Sequence, residues 1–171
     1  MTKFRSVNMA ALLTVAAVSA GSALAGTTAS TKIIPFTASY AGAAVVTVTD
    51  QVADISTTGN GKGLPIGVSK ITGKGTGDAA ARPCVPFAGT GSIVGLKGLM
   101  KGAKINFKMA VGSQGCGDEA GEVFSVTGRA IVTGGLGAFR KAKGTLKLTG
   151  IYDRNKGTFA VKFAGKLTVL A

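Results

Sequence analysis

Along most of the chain, apolar and polar residues alternate with a period of two, the pattern of strands that bury one face. Residues 157–170 read GTFAVKFAGKLTVL: Phe159, Val161, Phe163, Leu167 and Val169 fall on one side, and Lys162, Lys166 and Thr168 on the other. KINFKMAV (104–111) sets Ile105, Phe107, Met109 and Val111 against Lys104, Asn106 and Lys108. In the strand predicted over 121–133, Phe124, Val126, Ala130 and Val132 oppose Ser125, Thr127 and Arg129. Over 145–152, Leu146, Leu148 and Tyr152 oppose Thr145, Lys147 and Thr149. Further strands are predicted over 32–40, 43–55 and 66–76. In the last, the apolar parity slips between Val68 and Ile71, which a β-bulge would explain. Glycine-rich segments read as turns: GNGKG (59–63), GKGTGD (73–78), GSQGCGDEAG (112–121) and DRNKG (153–157). The best helical candidate, IVGLKGLMK (93–101), is weakened by two glycines. Seven or eight one-faced strands predict an all-β domain over 26–171. The expected form is a single antiparallel up-and-down β-barrel of about eight strands, closed by pairing of the long last strand with an early one.

The first 25 residues follow another pattern. Lys3 and Arg5 precede an apolar run, Met9–Ala20, and Ala23-Leu24-Ala25 is an A-x-A cleavage pattern. This predicts a cleaved signal peptide over 1–25 and export to the periplasm or the extracellular space. The run is shorter than the ~20 residues of a comfortable membrane span. Two cysteines, Cys84 and Cys116, in an exported chain predict a disulfide. Two sulfurs without histidine do not make a tetrahedral zinc site, so no metal is expected. Histidine is absent from the whole chain, which excludes Ser-His-Asp, Cys-His and imidazole acid–base chemistry.

The formal net charge is +13. Such a field favours an anionic envelope polymer or lipid headgroups as partners. Many basic residues occupy alternate strand positions, so a solvated outer sheet face is the plainer reading. Export leaves nucleic acid outside the expected partners.

Gly134-Gly135-Leu136-Gly137-Ala138-Phe139-Arg140-Lys141-Ala142-Lys143-Gly144 begins like a dinucleotide loop, but Arg140 stands at the third glycine position and a strand pattern follows. Gly73-Lys74 is followed by Gly75, so the phosphate-loop pattern fails as well. No cofactor is implied. A tight strand connection fits better: the glycines turn the chain, Phe139 folds back as a barrel plug, and Gly144 admits a close crossing. The pattern G-G-x-G-x-F-R-x-A-x-G resembles the signature of the dirigent and allene oxide cyclase barrel superfamily, of which exported bacterial members exist. Threonine is common there where this chain has Leu136. The resemblance spans about Gly121–Ala171. It implies an eight-stranded barrel with a largely apolar cavity, often trimeric, in which reactive substrates are cyclised or steered without a cofactor.

Candidate site residues follow from parity. Asp50 and Asp54 share the parity of Val46, Val48 and Val52, so an interior face would bring carboxylates to the cavity. Tyr40 shares parity with Ile34, Phe36 and Ala38. Tyr152 goes with Leu146 and Leu148. Arg140 occupies a position common in the resembling family. Tyr40, Asp50, Asp54 and Arg140 are thus the catalytic candidates, and Phe36 and Tyr152 the ligand-binding ones. The sequence supports an exported barrel that binds a small apolar ligand or serves an envelope or structural role. Its alternative is a cofactor-independent isomerase, cyclase or dirigent-type protein.

Overall fold

The computed structural model describes residues 30–171; the signal peptide expected over 1–25 lies outside them. Nine antiparallel strands follow in order: β1 (Thr31–Thr49), β2 (Val52–Leu64), β3 (Gly67–Asp78), β4 (Cys84–Gly95), β5 (Lys104–Met109), β6 (Gln114–Gly117), β7 (Val123–Leu136), β8 (Lys143–Asp153) and β9 (Thr158–Leu170). Their lateral order is β3-β2-β1-β9-β8-β7-β5-β4, and β3 pairs with β4 to close the ring. β5 and β6 both pair with β4 and β7 and lie end to end, so the barrel has eight staves. The step between them is held by buried Ser113, whose hydroxyl donates to the Ala110 carbonyl at 2.8 Å and accepts from the Arg129 amide. The last strand closes on the first, from Thr31↔Leu170 to Ala43↔Thr158. Among the described residues no long unpaired edge remains, which removes the hazard of open ladder groups.

The period-two patterns of β7, β8 and β9 point as their sequences predict. Ala130, Val132, Leu146, Leu148, Phe159, Phe163, Leu167 and Val169 are all buried. Elsewhere the structure corrects the sequence reading. The strand expected over 43–55 is two strands, because the chain reverses at Asp50–Gln51 with φ of 48° and 69°. That is the left-handed pair of a tight hairpin turn. GNGKG and GKGTGD are not turns. They are interior parts of β2 and β3, in which the inward residue of each alternate pair is glycine. The register of β2 on β3 runs unbroken from Val52↔Asp78 to Gly63↔Gly67, so there is no bulge near Val68. The parity slip is instead a buried polar residue: Ser69 takes the inward position and Val68 faces out. A register shift lies in β7, where Thr133 is the extra residue beside the Asn106/Phe107 step. Of the helical candidate 93–101, Ile93, Val94 and Gly95 belong to β4 and only Gly98–Met100 coils, as a single 3-10 turn. Val111 is fully exposed beyond the end of β5 rather than on its inner face.

The two ends of the barrel differ. One end carries the turn 64–66, the loop 96–103 and the motif loop 137–142, and is closed by side chains. Phe36, Ile66, Ile93, Ile105, Phe139 and Leu146 there are at most 1% exposed. The glycine run explains this closure locally. Gly137 sits at φ +60° and starts a second 3-10 turn, Gly137–Phe139, which throws Phe139 back into the core. Any side chain at Gly135 would collide with the Lys104 carbonyl, so the bare backbone is what lets β7 pass β5 there.

Candidate functional site

The opposite end is open. It is ringed by the β1–β2 turn, the loop 79–83, the loop 118–122 and the turn 154–157. From it a cavity of about 1020 Å³ runs into the barrel. Its walls are apolar: Ile55, Ile71, Phe87, Phe107, Phe124, Val126, Leu148, Phe159, Val161 and Phe163. Glycines hold several inward positions of the wall: Gly73, Gly75, Gly89, Gly115 and Gly117. These are positions where an ordinary barrel would place side chains. Farther in, glycine makes room for rings. A Cβ on Gly91 would strike the Phe107 ring, and one on Gly61 the Tyr40 ring. Phe107 and Phe163 meet at 5.5 Å between ring centres and form part of the floor.

Tyr40 lies outside the cavity lining, edge-on to Phe163 at 6.1 Å. Its hydroxyl is 2.9 Å from the hydroxyl of Ser69, and both residues are buried. Burial pushes the Tyr40 phenol up to about 12, with the Ser69 hydrogen bond pulling the other way. A phenol held so far above neutrality is a poor proton donor to a ligand, and no ligand atom could reach it past the floor.

Tyr152 does line the cavity, close to its mouth, with its ring 6.1 Å from that of Phe124. Burial raises its phenol pKa; the Arg154 guanidinium opposes the shift and the Asp153 carboxylate adds to it. Phe36 is wholly buried in the packed end and does not reach the cavity. Arg140 is exposed in the loop of the closed end, at the far side of the plug formed by Phe139. Asp50 sits in the exposed hairpin turn. Asp54, paired with Thr47 and Thr76, faces solvent. The hairpin reversal is why the expected shared face of these aspartates does not form: it shifts the parity of β2, so that Ala53 and Ile55 point inward.

The rim adds groups that periodicity could not reveal. Arg82, Asp118 and Glu119 line the mouth beside Arg154. They lie in loops, where no repeating pattern marks a side chain's direction. Asp118 is committed to its own loop, accepting from the amides of Glu122 and Val123 at 2.8 and 3.2 Å. Asp153 is paired with Lys156 at 2.8 Å, which holds its carboxyl below the usual range. Among the described residues, no cluster of three His, Cys, Asp or Glu side chains could hold a metal ion. The cysteines do meet: Cys84 on β4 stands opposite Cys116 on β6 and forms a disulfide below the rim.

The geometry is that of a closed eight-stranded antiparallel barrel with an apolar cavity open at one end. Among solved structures the chain is similar to a pterocarpan synthase dirigent protein, with a TM-score of 0.53 at 12% identity, over 83% of this chain and 92% of that one. The likeness shows a dirigent-like barrel fold. No protein-family model matches the chain, and no curated protein matches it.

Proposed function

We propose that this is an exported barrel protein that binds a small apolar ligand in its open half. The observation that carries the reading is the one-ended cavity of about 1020 Å³ with apolar walls and a floor of packed rings. That is the upper end of the usual range for a small-molecule site. A barrel needed only as a structural element would gain stability by filling this space. Export is supported by the leader pattern and by the disulfide. A dirigent-type role, in which the cavity orients a reactive substrate, is the second reading. It is favoured by the fold likeness and by Tyr152 and Arg154 standing together at the mouth.

The test is fluorescence titration with the neutral probe N-phenyl-1-naphthylamine. The protein from Gly26 onward is expected to bind it. Val46→Phe and Val161→Phe, which enlarge wall residues, are expected to weaken binding at least tenfold with thermal melts unchanged within a few degrees. Binding that ignores both substitutions would place the probe outside the barrel and end the proposal. Tyr152→Phe separates the two readings: under simple binding it leaves the affinity for the apolar probe unchanged, and only a catalytic role requires its hydroxyl.

A further inference from the structure

The acidic residues of this barrel are confined to one end, where Arg82, Arg154 and Lys156 also stand. All seven acidic residues of the chain stand at the open end. Asp50, Asp54 and Asp78 flank the β1–β2 and β3–β4 connections, Asp118, Glu119 and Glu122 occupy the loop before β7, and Asp153 ends β8. The closed end and the barrel sides carry only bases. In the closed-end loops these are Lys97, Lys101, Arg140 and Lys141; Lys32, Lys62, Lys104 and Lys143 lie at the adjoining strand ends. No Asp or Glu among the described residues lies there to neutralise them.

Exposed valines and isoleucines occur at both ends, but the exposed leucines all stand at the closed one. Leu99 is fully exposed at 103%, Leu64 at 75% and Leu136 at 58%, with Leu96 and Ile33 nearby. They are spread around the closed rim: Leu64 ends β2 and Leu136 ends β7, four staves apart, and Leu96 lies between them beyond the end of β4, its amide donating to the Val68 carbonyl. The loop 96–103 is built to project Leu99. Its 3-10 turn is closed by the Lys101 amide on the Gly98 carbonyl, Met100 packs on the core as the anchor, and Leu99 points away between Lys97 and Lys101. Isolated exposed leucines need no explanation, but four of them on one rim that carries bases and no acidic side chain suit an interfacial anchor.

We infer that the closed end docks on a lipid bilayer carrying anionic headgroups, with Leu99, Leu64 and Leu136 entering the interface and the closed-end lysines and arginine meeting the headgroups. Charge complementarity selects the partner's sign, and the leucines select a bilayer over a soluble polyanion, which offers them nothing apolar. The acidic end is repelled by the same surface. The barrel therefore stands on its plug with the cavity mouth turned to water. Docking is independent of what the cavity holds.

The experiment is sedimentation with large unilamellar vesicles of phosphatidylcholine, with or without about one-third phosphatidylglycerol, using the protein from Gly26 onward. That chain contains every strand of the closed barrel. Partition is expected only with phosphatidylglycerol and should fall with salt. Lys97→Glu with Lys101→Glu should weaken it by at least 25-fold, about fivefold for each cation lost. Leu99→Asp should weaken it about tenfold while circular dichroism and melting stay as in the parent, since the side chain touches solvent alone. Lys74→Glu with Lys108→Glu, on the barrel side, removes as much charge and should cost clearly less than the loop pair. Equal losses from the side and loop pairs would overturn the assigned face. Binding to heparin without binding to vesicles, or vesicle binding indifferent to Leu99→Asp, would assign the bases to a soluble polyanion and overturn the proposal.

Discussion

The Tyr40–Ser69 pair can be tested by taking it apart one hydroxyl at a time. The oxygens are 2.9 Å apart inside the packed region. Ser69 has a second partner, the Gly67 carbonyl at 3.3 Å, while Tyr40 has no other. The two deletions are therefore unequal. Tyr40→Phe removes one hydrogen bond and leaves the Ser69 hydroxyl satisfied by Gly67, at a cost of about 1 kcal/mol. Ser69→Ala strands a phenolic hydroxyl in a residue only 2% exposed, at a cost of about 2–3 kcal/mol. Removing both leaves nothing unpaired, so the double variant should be no less stable than Ser69→Ala alone. Urea unfolding, read by linear extrapolation, resolves differences of this size, and each kcal/mol corresponds to about 3–4 °C in Tm for a barrel of this length. The same pair predicts a pH effect. The native phenol titrates near 12 against 10.0 in the unfolded chain, so the unfolded state loses its proton first as pH rises. Its contribution is therefore fully present below pH 10 and is lost between pH 10 and 12. Tyr40→Phe should remove that part of the alkaline decline. A Tyr40→Phe variant as unstable as Ser69→Ala, or a double variant worse than either single one, would refute the account of which hydroxyl depends on the other.

Two further predictions concern the frame of the cavity. Reducing the Cys84–Cys116 bridge, or replacing both residues with serine, reopens a loop of 32 residues and should cost about 3–4 kcal/mol on the chain-entropy model; a melting temperature indifferent to reductant would count against it. Phe139→Ala empties the plug and should cost about 3–5 kcal/mol in the same urea assay. Arg140→Ala, one residue on and exposed, should stay within about 0.5 kcal/mol of the parent.

The strand content was legible because its signal is local. On β7, β8 and β9 the large inward residues are apolar and most of the outward ones polar, Val123, Ile131 and Ile151 apart, so burial of one face sets the direction of the side chains. The plug was legible for a related reason: a run of glycines before an aromatic residue has few uses other than a sharp turn that buries the ring. Where the inward residue was glycine the same logic failed. Gly59, Gly61, Gly73 and Gly75 follow the alternation perfectly well, but a residue without a side chain shows no polarity, and both segments read as turns. Ser69 failed in the opposite way, as a polar residue whose place inside is licensed only by Tyr40, 29 positions earlier in the chain.

The amino-acid sequence by itself determined an all-β chain of one-faced strands, a pair of cysteines suited to a bridge, and a strong positive charge without histidine chemistry. Only the tertiary structure decided where these things meet. Closure of β3 on β4 turned a set of inward glycines into a cavity, the reversal at Asp50–Gln51 sent the aspartates to the outside, and Tyr152 alone of the candidates came to line the site. The confinement of the acids to one end was equally invisible along the chain. The acids lie near alternate strand connections, and in an up-and-down barrel every second connection returns to the same end. That is why seven scattered carboxylates share one rim and the exposed leucines share the other.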